Sequence, residues 1–401
     1  MRRVVSITGS RADYGLMEPV HLAIAADPEL ELHLIVTGMH LLPEFSSSLE
    51  IVRRDAFGKV HEVSALLGED SAKAMAQGVG LAVFGTADVL RNLAPDILLL
   101  QGDRGEMLAG AIAAGHMNIP IVHMSGGDFS GSIDDSVRNA ISKFAHVHLT
   151  SCAASTRRLV AMGEAAERII ETGDPAIDQI GRMKFVSRAE LAAEVGLPSE
   201  GAFLVATLHP VTDEADEAAW QMTTFLEALE EVGIRTVLTY PNSDAGGRAM
   251  RQVADAWRGR PFLNVQPSMG SRLYLNLLRH AAAMVGNSSS GIVESASFRI
   301  PAINVGSRQI GRLRANNVID VGFNKREIVE AIRRGLEDEI FRGRLADCQN
   351  PYGDGHAAER TVKVLRQLVL GPALTAKWKA TDFELLRGPD KTILAAQKVV
   401  C

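Results

Sequence analysis

Short runs of β-branched and aliphatic residues alternate with longer stretches of helical period along nearly the whole chain. The first runs predict strands over residues 4–8, 32–37, 97–101, 119–124, 147–150 and 168–172. Between them, apolar positions three and four apart predict helices over 16–26, 71–93, 107–116, 135–144 and 153–162. The pattern then restarts, with strands over 203–208, 236–239, 262–265, 282–285 and 302–304. Its helices fall over 213–232, 249–257, 272–279, 291–298 and 325–336, and a last one within 356–370. The strands are apolar almost throughout rather than alternating, as in a parallel sheet covered on both faces. The turn residues Gly173-Asp174-Pro175 close the first set. The chain therefore reads as two Rossmann-like parallel α/β domains, residues 1–175 and 176–355, with the stretch 356–401 expected to pack back on the first. Such domains bind ligands at the carboxyl ends of their strands, so a central cleft lined by post-strand loops is expected.

Bulk properties narrow the function. The 401 residues suit two cores, and 46% hydrophobic with 22% charged residues excludes a disordered chain. A net charge of −6 offers no basic surface to a phosphate backbone, so no nucleic-acid partner is expected. No apolar run approaches the roughly 20 residues of a spanning helix, so no membrane partner is expected either. The apolar stretch after Met1-Arg2-Arg3 breaks at Gly9-Ser10-Arg11, which fits a first strand better than a secretion signal. Cys152, Cys348 and Cys401 are far apart and form no CxxC pair, which fits a reducing, cytoplasmic setting. No cofactor motif is present: there is no GxGxxG after the first strand, no Walker loop and no GxSxG elbow. The close pair His146 and His148 is explained by strand alternation, and no metal is expected.

Chemistry-bearing residues concentrate after strands. In Gly286-Asn287-Ser288-Ser289-Ser290-Gly291, followed by Glu294, a strand ends and a helix is expected to begin. Free N–H groups, a helix dipole and serine hydroxyls there would suit a diphosphate, and Glu294 would suit ribose hydroxyls. Gly102-Asp103-Arg104 puts a carboxylate and a guanidinium past a buried strand, either as cap and partner or as an acid–base group facing substrate. The loop Ser125-Gly126-Gly127-Asp128 through Asp134-Asp135 is rich in small residues and carboxylates, suited to helix capping or to proton transfer. His209-Pro210, Pro241-Asn242, Arg11 and Arg308 are further cleft candidates.

Together these stretches resemble the UDP-N-acetylglucosamine 2-epimerases, most closely the hydrolysing branch. The likeness runs roughly from Val4 to Arg360. It is carried by Ser10-Arg11-Ala12-Asp13-Tyr14, Gly102-Asp103-Arg104, Gly131-Ser132-Ile133-Asp134-Asp135-Ser136, His209-Pro210-Val211-Thr212, Tyr240-Pro241-Asn242-Ser243-Asp244, the stretch from Gly286 to Glu294, Arg308-Gln309-Ile310-Gly311-Arg312 and Asn350-Pro351-Tyr352-Gly353-Asp354-Gly355. The resemblance implies a glycosyltransferase-B-type fold without metal and a UDP-sugar substrate. It also implies epimerisation at C2 through loss of UDP and a 2-acetamidoglucal, with UDP either released or retained. Asp103, Asp134, Asp128 and His209 would be catalytic. Arg11, Arg104, Ser125, Asn242, Ser288, Ser289, Glu294 and Arg308 would hold substrate. One departure stands out: Ser125 occupies the place where the family carries Glu or, in some members, His, and Asp128 stands where Glu is usual. That leaves Asp103, Asp128 and Asp134 to move protons. A diacetamido-trideoxyhexose substrate, a glycosyltransferase of the same fold and a non-catalytic sugar-nucleotide sensor are the alternatives. A homodimer or homotetramer is expected.

Overall fold

The computed structural model describes residues 1–42, 46–65, 72–129, 133–242, 245–266 and 269–377. Ser130-Gly131-Ser132, Ser243-Asp244 and the tail from Trp378 lie outside the described residues. The chain forms two compact units, one of Met1–Gln179 together with the chain returning at Tyr352, the other of Ile180–Pro351.

The first unit is built on seven parallel strands: β1 Arg2–Thr8, β2 Leu30–Thr37, β3 Lys59–Val63, β4 Ile97–Gln101, β5 Ile121–Met124, β6 Val147–Thr150 and β7 Ile169–Glu171. Their order is β3-β2-β1-β4-β5-β6-β7, so the winding reverses between β1 and β4. Val4, Val5, Leu98 and Leu99 are wholly buried, because helices cover both faces. Burying each such side chain contributes about 1.5–3 kcal/mol. The edge strand β3 escaped the sequence reading because Lys59, His61 and Glu62 interrupt its apolar pattern, as edge positions permit.

The returning chain is tied down by specific groups. Asp178 accepts from Ala357 N at 2.9 Å and Ala358 N at 2.7 Å, capping helix Ala357–Gln367. That helix buries Val364 and Leu365 against the β1 side of the core. The fully buried Arg168 donates to Leu374 O at 2.8 Å and His146 O at 3.0 Å.

The second unit repeats the plan with β8 Phe203–Thr207, β9 Arg235–Thr239, β10 Leu263–Gln266, β11 Ala283–Gly286, β12 Ala302–Val305 and β13 Val318–Val321. Their parallel order is β10-β9-β8-β11-β12-β13, reversing between β8 and β11. The edge strand β13 was also missed. One expectation is corrected: residues 291–298 are not an α-helix. Two short 3₁₀ turns, Ser289–Gly291 and Ser295–Phe298, occupy this stretch. Serines and β-branched residues favour helix poorly, and Ser295 Oγ turns back onto Gly291 O at 2.7 Å. Among the described residues, no helix is long and apolar enough to cross a membrane.

Candidate active site

The carboxyl ends of β4 and β5 gather the acids of the first unit. Asp103 follows β4 and does not cap the next helix; Arg104 takes the N-cap position. The Asp103 carboxylate instead receives the Arg138 guanidinium. Arg138 is only 4% exposed. It also donates to Asp135 Oδ1 and to Asp128 O, each at 2.8 Å. One buried cation thus joins the β4 end, the β5 loop and helix Ile133–Phe144. Asp134 stands exposed on the first turn of that helix.

Arg104 pairs with Glu106, not with Asp103. Its Nε and Nη2 both lie 3.2 Å from Glu106 oxygens, and Nε lies 3.8 Å from Asp13 Oδ2. Burial opposes the Arg104 charge, but Glu106, Asp13 and Asp134 outweigh it and raise its pKa. Asp13 is buried, which pushes its carboxyl up despite hydrogen bonds from Thr8 and Ser10. His40 contacts Thr8 Oγ1 at 2.9 Å and Ser48 Oγ at 2.6 Å. Burial lowers its pKa to about 4.

The β5 loop is held from both sides. Ser125 adopts φ +60, a left-handed conformation that a serine takes only under constraint. At Gly127, φ is +76 and a Cβ would lie 2.3 Å from Ser155 O, so only glycine fits. Asp128 Oδ1 accepts from Ser151 Oγ at 2.6 Å and Ser155 Oγ at 2.5 Å. His123, on β5, lies 2.8 Å from Gly102 O through Nε2 and 3.1 Å from Ser142 Oγ through Nδ1. Burial depresses its pKa to about 3, so it is a neutral spacer fixing the residue before Asp103.

The second unit carries hydroxyls and neutral donors where the first carries acids. Gly286 closes β11 with φ +130; a Cβ there would lie 2.0 Å from Thr207 O, so β8 and β11 meet closely. Asn287 then clamps the β8 loop: its Oδ1 accepts from His209 N at 2.6 Å and its Nδ2 donates to His209 O at 2.8 Å. Asn242 N donates to His209 Nδ1 at 3.0 Å. That bond assigns the proton of the neutral ring to Nε2. Burial, aided by Arg308, lowers the His209 pKa to about 3. Ser288 and Ser289 are half-buried, and Ser288 Oγ accepts from Ser290 N at 3.4 Å. Arg308 Nη1 lies 3.3 Å from Asn287 O. An N–H on neutral histidine, serine hydroxyls and a guanidinium form a donor set suited to an oxyanion.

Residues 22–366 match the sequence profile of the UDP-N-acetylglucosamine 2-epimerase family. The chain belongs to that family. It is 35% identical over 380 residues to the UDP-N,N'-diacetylbacillosamine 2-epimerase (hydrolyzing) of Legionella pneumophila, covering 95% of this chain and 100% of that one. It is 33% identical over 349 residues to a Neisseria meningitidis UDP-N-acetylglucosamine 2-epimerase, covering 86% and 91% of the two chains. A crystal structure of UDP-GlcNAc 2-epimerase from Neisseria meningitidis, bound to UDP-GlcNAc, aligns with a TM-score of 0.79 at 18% identity, covering 91% of this chain and 99% of that one. Identity that low speaks for the fold, two parallel α/β domains of the glycosyltransferase-B type.

In this epimerase-family chain, Asp103, Arg104, Ser125, Asp128 and Asp134 lie at or near the strand ends of the first unit, as does Arg11 at the start of helix Arg11–Ala26. His209, Asn242, Ser288, Ser289, Glu294 and Arg308 follow strands of the second. Sequence reading missed Arg138 and Glu106, and it named Asn287 in the serine loop without its clamp on His209. The spacing of Asp135 and Arg138, three apart on one helix, was a readable signal. The meeting of Arg138 with Asp103 was not readable, since it depends on packing between separate elements.

Proposed function

We propose that this chain is a hydrolysing 2-epimerase of a UDP-linked 2-acetamido sugar, converting it with water into UDP and the free C2 epimer. The supporting observation is the division of labour between the units: ion-paired acids in one, neutral and cationic donors in the other. The turn after β11 with Ser288 and Ser289, together with Arg308 after β12, takes the diphosphate, Glu294 the ribose, and Arg11 and Asn242 help to frame the substrate. His209 offers Nε2–H to the departing phosphate oxygen. The C1–O bond breaks with its electron pair leaving on UDP, while a carboxylate takes the C2 proton, giving the 2-acetamidoglucal. Water then adds to C1 and a proton returns to the opposite face of C2. Asp103 and Asp134 carry these transfers. Asp128, held by Ser151 and Ser155, is the third carboxylate available for proton transfer, on the loop that Ser125 begins. Arg104 faces substrate oxygens. The reaction needs no metal or cofactor, its setting is the cytoplasm, and the active species is a homodimer or homotetramer.

UDP-N-acetylglucosamine is the first substrate to test. UDP-N,N'-diacetylbacillosamine is favoured by the likeness to the Legionella protein over its full length. Incubation of the protein with each, followed by chromatography of nucleotide and sugar, distinguishes them: free UDP and an epimerised free sugar are expected from one. UDP with a free sugar of unchanged C2 configuration would indicate plain hydrolysis, and a UDP-linked epimer would mean that UDP is retained.

A further inference from the structure

Two buried cations fasten residues 371–377 to the first unit. Arg168 donates to Ala373 O at 3.2 Å and to Leu374 O at 2.8 Å, in the short helix Pro372–Thr375. That alone would hold the segment. Lys377 follows nonetheless, with a side chain only 15% exposed. An ammonium has three hydrogens to give, and three acceptors surround this one: Ser142 O at 3.2 Å, Lys143 O at 3.1 Å and the Glu164 carboxylate at 2.5 Å. The Glu164 side chain is itself 2% exposed and also meets Lys143 Nζ at 2.9 Å and His148 Nε2 at 3.1 Å.

Ser142 and Lys143 lie in the last turn of helix Ile133–Phe144. Their carbonyls are among the four that a helix leaves without internal partners, and a cation there also complements the helix dipole. The same helix carries Asp134 in its first turn and, one turn on, Arg138, the partner of Asp103. Ser142 is held a second time, through its hydroxyl. A carbonyl can only accept, so His123 Nε2 donates to Gly102 O, and Nδ1 of the neutral ring accepts from Ser142 Oγ. Ser142 and His123 are wholly buried. Lys377, Ser142, His123 and Gly102 thus form one hydrogen-bonded line that ends on the residue before Asp103.

We propose that Lys377 is a positioning residue for proton transfer: by clamping the far end of helix Ile133–Phe144 it keeps Asp134, and through Arg138 and His123 also Asp103, in working position. The inference rests on the reading of Asp103 and Asp134 as the proton-transfer groups. Without the ammonium, Glu164 keeps Lys143 and His148, and Arg168 keeps the segment docked, so the fold survives while the helix end loses its clamp. A displacement on the order of 1 Å at reacting groups slows a reaction by up to about 100-fold.

Steady-state kinetics and UDP titration calorimetry on the full-length protein test it. If wild type turns over neither UDP-N-acetylglucosamine nor UDP-N,N'-diacetylbacillosamine, the reading of the acids fails and this inference falls with it. If wild type is active, Lys377→Met is expected to lower kcat about 10-fold or more, with KM and UDP affinity within about twofold of wild type. Lys377→Cys should lose as much. Aminoethylation of that cysteine rebuilds an ammonium at lysine length and should recover most of kcat, with wild type treated alike as the control. A merely structural anchor would lower the urea midpoint and leave kcat of the folded protein unchanged. That result, or a loss that aminoethylation verified by mass does not reverse, would overturn the inference. Should the methionine variant fail to fold, Lys377→Gln keeps an N–H donor without the charge; its kcat should fall about fivefold, and a kcat equal to wild type would equally overturn it.

Discussion

The two strand-end loops that carry the candidate residues are built on one plan and filled with opposite chemistry. In the first unit, three acids at strand ends are met by partners: Asp103 by Arg138, Asp128 by Ser151 and Ser155, Asp13 by Thr8 and Ser10. In the second, a neutral His209, clamped by Asn287 and Asn242, stands with hydroxyls and Arg308. A doubly wound sheet presents a loop at its switch point in either case. The side chains alone set the two loops apart, and under the proposed function one would move protons and the other hold the diphosphate. Substitutions in the two loops should therefore fail in different ways.

The largest effect is expected at the acids. Asp103→Asn should lower kcat by about 10²–10⁴ while UDP affinity stays near wild type, because a lost proton-transfer group acts on the reaction and not on the nucleotide. Arg138→Gln should lower kcat less and also cost about 3 kcal/mol of stability, since it removes a buried cation that ties Asp103 and Asp135 together. In the other loop the pattern should reverse. Arg308→Ala should weaken UDP by about 10–100-fold, the loss of a charged hydrogen bond. Equal losses of kcat and UDP affinity for variants in both loops would erase the distinction.

How much of this was legible in the sequence varies with distance along the chain. Loops after strands betray themselves by their small residues, so the positions of Ser288, His209, Asp103 and Asp128 just past strands were legible. The apolar interior strands were found as well. The polar edge strands β3 and β13 were not, because an edge does not need a continuous apolar run. Nor was the partner of Asp103, which lies thirty-five residues away. The segment after Ser290 looked helical from its Ile292, Val293 and Ala296 spacing, yet Ser295 bends it into separate turns.

Burial gives a further effect on stability, shared by both units. His21, His123 and His209 have pKa values lowered by burial to about 3, against 6.5 in an unfolded chain. Between these values the unfolded chain binds more protons, so stability should fall as pH drops from about 6.5 toward 3. The slope is about 1.4 kcal/mol per histidine per pH unit. Urea unfolding at pH 7.5 and 5 reads it, and equal midpoints would mean these rings are not buried neutral. The smallest change is expected at Ser125. Replacing this left-handed residue by glycine removes about 1–2 kcal/mol of strain against about 0.5–1 kcal/mol of added chain entropy. Ser125→Gly should therefore raise the urea midpoint slightly, and a fall would mean the hydroxyl stabilises the loop.

The central claim is that this chain loosens the C2 proton by expelling UDP. Proton NMR of the reaction in deuterium oxide, with UDP-N-acetylglucosamine and then UDP-N,N'-diacetylbacillosamine, tests it most directly. The account expects deuterium at C2 of a free, epimerised sugar from at least one of them. A product that keeps its original hydrogen at C2, or no turnover of either substrate, would contradict it.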